Sequence, residues 1–237
     1  MTLHPIIDAE IFALRPDFVA LSINVTGGRN GPSDAASEAL LTEAVQSLDA
    51  YPWAETHLDA WREAYRAFGA KPKKTPCSAE ALRKRAVKDG AMRPLNAVVD
   101  LYNAVSLRFA VPVGGEDAAS YAGQPRLCLA KGGEPFHTMA EGQPVIENPE
   151  SGEVVWRDDL GVTCRRWNWR QGPRTQITEA SQDMWFVLER LDPMPVEALL
   201  DAGRILVGGL RRISPDLTLS ICMFDAGSLR GEALAVL

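Results

Sequence analysis

LNAVVDLYNAVSLRFA (residues 95–110), with VPVGGED (111–117) directly after it, divides the chain into two kinds of sequence. Val98, Leu101, Val105 and Phe109 recur at three- and four-residue steps, the period of an amphipathic helix. VPVGGED carries a proline and two adjacent glycines and reads as a turn. Upstream the pattern is mainly helical. HLDAWREAYRAFG (57–69) places Leu58, Trp61, Tyr65 and Phe68 on one face, AKPKKTP (70–76) is a loop, and Ser78 caps a helix that Gly90 stops. SDAASEALLTEAVQSL (33–48) is a further helix, with Ser33 as its cap, and FVALSINVTG (18–27) is a strand.

Downstream the pattern changes to short strands: RLCLAK, GEVVWRD, GVTCRRWNW and DMWFVLERL, punctuated by Gly and Pro. A helix over 196–213 and a strand over 217–224 follow. This order lacks strict strand–helix alternation, so it implies an α/β chain of the α+β type. The expectation is one domain over 1–237, built on a mixed, mostly antiparallel sheet flanked by helices. Strand 18–26 should join the same sheet as the later strands.

The chain has 237 residues, 46% apolar and 24% charged, which excludes disorder and collagen-like repetition. Its apolar runs are too short to span a bilayer, and the first residues carry acids where a secretion signal needs a basic start. A cytoplasmic location and no membrane partner are therefore expected. Cys77, Cys128, Cys164 and Cys222 form no CxxC pair and read as free thiols. His4, His57 and His137 form no zinc spacing, and no phosphate-binding GxxxxGK[ST] exists, so no metal or cofactor is expected.

The net charge of −6 hides an asymmetry. Residues 1–55 carry two arginines against eight acids, whereas residues 56–94 carry ten Lys and Arg against four acids. A second basic cluster, Arg157, Arg165, Arg166, Arg170 and Arg174, is interleaved with tryptophans. Such patches suit a polyanion, although a solvated helix face has the same composition.

Particular segments say more. Val98-Val99-Asp100-Leu101-Tyr102-Asn103, then Pro112-Val113, then Thr178-Glu179-Ala180-Ser181 and Leu188-Glu189, occur in the order and spacing of the tRNA-editing module of the phenylalanyl-tRNA synthetase β chain. The resemblance covers roughly 60–191, with the terminal elements completing the fold. It is closest to stand-alone relatives of that module, since AWREAYRAFGAKPKKTPCSAEAL (60–82) and GVTCRRWNWRQGPRT (161–175) resemble their signature stretches. Nothing in the sequence resembles an aminoacylation, anticodon-binding or ATP-binding segment. It implies a trans-acting hydrolase that deacylates mischarged aminoacyl-tRNA. Such second sites exist because one hydroxyl or methylene gives a synthetic site too little discrimination.

The resemblance implies that Asn103 lines the editing pocket. Gly114 and Gly115 stand where the synthetase module reads His-Ala, and Tyr102 where it often reads Thr. Ester hydrolysis here would therefore rest on backbone donors in a Gly-rich turn rather than on a histidine. Glu116 and Glu134 each follow a Gly-Gly pair, so both are candidates for binding an α-ammonium or accepting a proton. Read as a strand, CRRWNWRQ (164–171) puts Arg165, Trp167 and Trp169 on one face and Arg166 and Asn168 on the other, a ribbon suited to stacking bases and holding phosphates. Lys71, Lys73 and Lys74 are expected on an exposed loop that contacts RNA phosphate. Asn103, the Gly114-Gly115 turn, Glu134 and Arg165–Asn168 should then converge on one pocket, and Gly115→Val should block it without disturbing the fold. Two other functions suit the sequence: a non-catalytic RNA-binding module, and a protein that binds an amino acid or small metabolite.

Overall fold

The computed structural model describes residues 2–235. In chain order the elements are β1 (Ile6–Ile7), α1 (Ala9–Leu14), β2 (Val19–Thr26), α2 (Ala35–Gln46), α3 (Ala54–Ala67), α4 (Ser78–Asp89) and α5 (Ala97–Phe109). Then come β3 (Val113–Asp117), β4 (Arg126–Leu129), β5 (Phe136–Ala140), β6 (Gln143–Glu147), β7 (Val154–Arg157), β8 (Val162–Arg165), β9 (Arg170–Gln171) and β10 (Met184–Arg190). The last three are α6 (Val196–Ile213), β11 (Thr218–Asp225) and β12 (Ser228–Leu234).

The strands form two five-stranded sheets, ordered β1-β4-β7-β8-β9 and β12-β11-β2-β10-β3, with β5-β6 as a separate hairpin. β1 runs parallel to β4, and the pairings within the second sheet are antiparallel. The α+β class and helix-flanked antiparallel sheets agree with the sequence reading, and β2 does pair with β10 and β11. The single expected sheet is two. After edge strand β3 the chain builds the first sheet, then returns through β10, which inserts between β3 and β2.

β10 faces a core on each side. Met184, Phe186 and Leu188 pack with Val98, Leu101, Val105 and Phe109 of α5 and with Leu199 and Leu206 of α6. Trp185 and Val187, on the alternate face, pack with Trp61, Trp156 and Trp167. Helices α5 and α6 approach closely at Gly209, where a Cβ would lie 2.4 Å from the Leu101 side chain.

The caps show why the helices begin where they do. Asn96 accepts the Val99 N–H at 2.9 Å and starts α5. Asp100 is wholly buried at that end and takes the Leu95 N–H at 2.8 Å together with the Ser33 and Ser37 hydroxyls. Ser33 is thereby committed to Asp100, and it is Asp34 that caps α2. Helix α4 ends at Gly90 in the left-handed conformation, as the sequence suggests, but Cys77 and not Ser78 holds its N-terminal cap position, and the Ser78 hydroxyl caps no backbone N–H.

His57 of α3 is fully buried. Its Nε2 accepts from Trp61 Nε1 at 3.1 Å and faces the Leu191 N–H at 3.1 Å, while Nδ1 lies 2.9 Å from the Ala110 carbonyl. These partners fix a neutral ring with the proton on Nδ1. Burial holds its pKa at about 4, below the ordinary 6.5. The unfolded chain therefore binds a proton that the folded chain refuses, and stability is lost as pH falls from 6.5 toward 4. Urea unfolding at pH 7 and pH 5 should show a loss of about 2 kcal/mol from this residue, absent in a His57→Gln variant.

Candidate functional site

A cavity of about 250 Å³ opens between α4, α5, the β3–β10 edge and the turn after β8. Tyr102 and Asn103 of α5 form one wall, with Ser78 and Arg85 of α4 beside them. Gly114, Gly115 and Glu116 come from β3, and Trp185 and Glu189 from β10. Trp167, Asn168, Trp169 and Gln171 close it from the turn, with Trp156 of β7 behind.

VPVGGED, expected as a turn, instead supplies an edge strand, because Gly114 and Gly115 pair in register with Val187 and Phe186. Small residues are needed there. A Cβ on Gly115 would lie 2.6 Å from the Tyr102 ring. Gly115→Val must therefore displace Tyr102, which corrects the expectation of an undisturbed fold. Glu189 N–H donates to the Pro112 carbonyl at 3.0 Å, so alternation turns the peptide groups of Gly114 and Glu116 toward β10 and those of Gly115 toward the outer edge, where Glu116 makes an isolated bridge with Gln176. Gln171 Nε2 reaches the Gly115 carbonyl from that edge at 3.0 Å.

Glu116 is not on an exposed turn either. It is 4% exposed and faces Trp185 across the sheet. Burial pushes its pKa up to about 8 against the pull of the nearby Thr175 and Gln171 side chains. Glu189 is 1% exposed, and burial pushes it up to about 7. It accepts Trp156 Nε1 at 3.0 Å and Asn168 Nδ2 at 2.9 Å, while Asn168 Oδ1 accepts the Tyr65 hydroxyl at 2.8 Å.

Residues 164–171 do not form the alternating strand. β8 ends at Arg165, and Arg166 and Trp167 adopt positive φ (48° and 66°), which reverses the chain. Trp167 is driven fully into the core, edge-on to Phe18 and Trp61 at ring separations of 5.1 and 5.2 Å. It has no exposed face on which a base could stack. Trp169 is half-buried and carries the Arg166 guanidinium 4.3 Å above its ring. Arg165 is 5% exposed and paired with Glu153 and Glu147, each at 2.8 Å, so it is withdrawn from any RNA. The ribbon expectation fails for Arg165 and Trp167 because the chain reverses there.

Glu134 is also elsewhere. Its carboxylate caps its own turn, accepting the N–H groups of Lys131, Gly132 and Gly133 at 2.8–3.0 Å, and it lines a different cavity with Arg126 and Arg157. These amide bonds hold its pKa below the ordinary carboxylate value although its partial burial pushes the other way. It is not grouped with Asn103. Lys71, Lys73 and Lys74 are exposed, and Lys71 and Lys74 border a third cavity of about 230 Å³ together with Arg166. Cys164 lines the main cavity, but burial pushes its thiol far up, so it is no thiolate.

Sequence reasoning missed Ser78, Arg85, Gln171 and Glu189. An acid inside the apolar run MWFVLER was a usable signal for Glu189, and Arg85 sat unremarked in the basic block. Among the described residues Arg85 makes no ion pair and Asn103 no side-chain hydrogen bond, so both project free polar groups at the cavity.

An α+β fold with a sheet-edge cavity walled by tryptophans is the class these observations define. Residues 60–199, more than half of the sequence, match the B3/4 domain model, and the chain belongs to the B3/4 domain family. Its fold is similar to that of an N-terminal fragment of the phenylalanyl-tRNA synthetase β-subunit from Pyrococcus horikoshii, at a TM-score of 0.50 and 11% identity. That match covers 93% of this chain and 51% of the fragment, so the chain spans about half of it. No curated protein is similar enough in sequence to count as a relative. Among the described residues no helix is long and apolar enough to cross a membrane.

Proposed function

We propose that this chain binds the aminoacylated 3′ end of a tRNA and hydrolyses the ester of a mischarged amino acid, acting apart from any synthetase. The observation that carries the reading is the convergence of Asn103, Gly114, Gly115 and Glu116 with Trp169 on one cavity, in a B3/4-family chain. An aminoacyl ester is already activated, so positioning and charge stabilisation suffice. The Asn103 carboxamide holds a water at the ester carbonyl. The Gly115 N–H, turned away from β10, donates to the oxyanion formed when that water adds. The tetrahedral intermediate expels the ribose oxygen, which leaves with a proton as the tRNA hydroxyl, and the free amino acid departs.

The polynucleotide approaches over the basic side. Arg166 stacked on Trp169 connects the main cavity to the one bordered by Lys71 and Lys74. Single-stranded 3′ ends are held by aromatic stacking and backbone charge, which Trp169 and these cations supply. If the three loop lysines each touch a phosphate, changing all of them to Glu weakens tRNA binding and flattens its log–log salt slope by roughly two units. An unaltered slope assigns the loop to solvent. The reaction itself is tested with a panel of mischarged tRNAs, following release of each amino acid: release from at least one mischarged species supports hydrolysis. Tight binding with no release from any of them favours the non-catalytic RNA module, a reading that the absence of the synthetase-type histidine recommends.

A further inference from the structure

Two carboxylates, Glu116 on β3 and Glu189 on β10, line the main cavity from the same face of the sheet, at 4% and 1% exposure. Neither forms an ion pair among the described residues. The arginine closest in charge to Glu116 is Arg174, and it is committed to Asp158 and to the Ser120 carbonyl, each at 2.8 Å. Glu189 is held only by the neutral donors Trp156 and Asn168. Glu116 Oε2 is buried without a hydrogen-bond partner. Burying a carboxylate without a counter-ion is costly. Arg85, the one cation among the described residues lining this cavity, is exposed while both acids are buried, so the buried part of the cavity is short of positive charge.

The other walls favour one kind of cation. Trp156, Trp167, Trp169 and Trp185 all border the cavity. Indole surroundings stabilise a weakly hydrated organic cation, whereas a hard metal ion requires six or more oxygens that are absent here. The Ser78 hydroxyl oxygen, buried and unpartnered at the same cavity, can accept a further N–H. A volume of about 250 Å³ admits a group of a few heavy atoms and not a whole nucleotide.

We infer that this cavity is a binding site for an organic ammonium group, which donates a hydrogen bond to Glu116 Oε2 and lies among the indoles. Burial raises the pKa of Glu116 to about 8, so without a cation beside it the carboxyl keeps its proton at pH 7 and releases it when an ammonium group binds. The titratable groups around it are Tyr102, Tyr121, Cys164, Asp158 and Arg174, and Glu189 and Arg85 line the same cavity; Arg174 and Arg85 are the cations among them. The site stands on geometry alone. Its assignment to the aminoacyl group of a tRNA rests on the reading above, and there the ammonium is either the α-amine or a side-chain amine.

Tryptophan fluorescence separates these sources at pH 7. The probes are norleucinamide, lysinamide and their Nα-acetyl forms. If the α-amine is read, norleucinamide quenches and its Nα-acetyl form binds at least about tenfold more weakly. If the side-chain amine is read, Nα-acetyl-lysinamide binds and norleucinamide does not. In either case the isosteric Glu116→Gln variant, its fold checked by thermal melting, loses about tenfold in affinity for the bound amine. Equal binding of Nα-acetyl-norleucinamide, undiminished binding by Glu116→Gln, or no quenching by any amine overturns the inference. Amine binding without tRNA deacylation counts against the hydrolase reading alone. Where the amide probes point to the α-amine, equally fast deacylation of Nα-acetylated and free aminoacyl-tRNA supports the hydrolase and overturns the ammonium site.

Discussion

Trp167→Ala is expected to cost about 3–5 kcal/mol in urea unfolding, the range for deleting a fully buried large aromatic. The ring is wholly buried and touches Phe18, Trp61 and Phe68 through ring contacts of 5.1–6.4 Å. It belongs to the main core and also floors the candidate site. Its backbone has a φ of 66°, held by a Trp167 N–H bond to the Val154 carbonyl at 2.7 Å. Without the ring the reversal that carries Asn168 to Glu189 keeps its backbone hydrogen bonds but loses its anchor in the core. Trp169→Ala, by contrast, removes a half-buried ring and should cost far less stability. A Trp167→Ala variant as stable as the parent would show that the turn is held by other contacts.

Glu116→Gln is expected to do the opposite above neutral pH and stabilise the protein. Burial raises the folded pKa of Glu116 from 4.5 to about 8. Between those values the folded chain keeps a proton that the unfolded chain has released. Stability therefore falls as pH rises through this window, and the loss is complete above about 8. The groups that set the balance are the Thr175 and Gln171 side chains and the charges of Arg174 and Asp158. At pH 9 the amide should exceed the parent by on the order of 4 kcal/mol, and at pH 4 the two should nearly coincide. Glu189, raised to about 7, adds a decline of the same sense that the variant keeps. His57 acts in the opposite sense between 6.5 and 4, so the variant should lose only the part of the decline that Glu116 causes. Parallel pH profiles for the two proteins would mean that Glu116 is solvated.

Much of the fold was legible because periodicity reports burial. The 3.6-residue pattern located α3 and α5, and the apolar runs located β2, β10 and β11. The Gly114-Gly115 pair was misread because adjacent glycines usually mark turns, whereas here they let Tyr102 and Val187 press against an edge strand. The partition into two sheets was invisible, since it depends on where β10 inserts and not on any local pattern. In the site, Asn103 and Glu116 were found from a resemblance and from an acid beside glycines. Glu134 has the same local signature as Glu116, yet its carboxylate folds back onto its own turn amides, a difference no sequence pattern records. Arg165 and Trp167 were misassigned because two residues of positive φ break the alternation that the strand reading assumed.

The central claim is that the tryptophan-walled cavity receives the aminoacyl group of a tRNA 3′ end, with the adenosine outside it against Trp169, and indole resonances test it directly. The chain has six tryptophans, of which Trp156, Trp167, Trp169 and Trp185 border the cavity, while Trp53 stacks on Tyr51 away from it. An ¹⁵N-indole spectrum should be recorded during titration with an amide-linked, non-hydrolysable aminoacyl-adenosine. The account predicts saturable shifts at the cavity indoles, largest at Trp169, with Trp53 unmoved. Saturable binding that leaves those four resonances in place, or no binding at all, would contradict it.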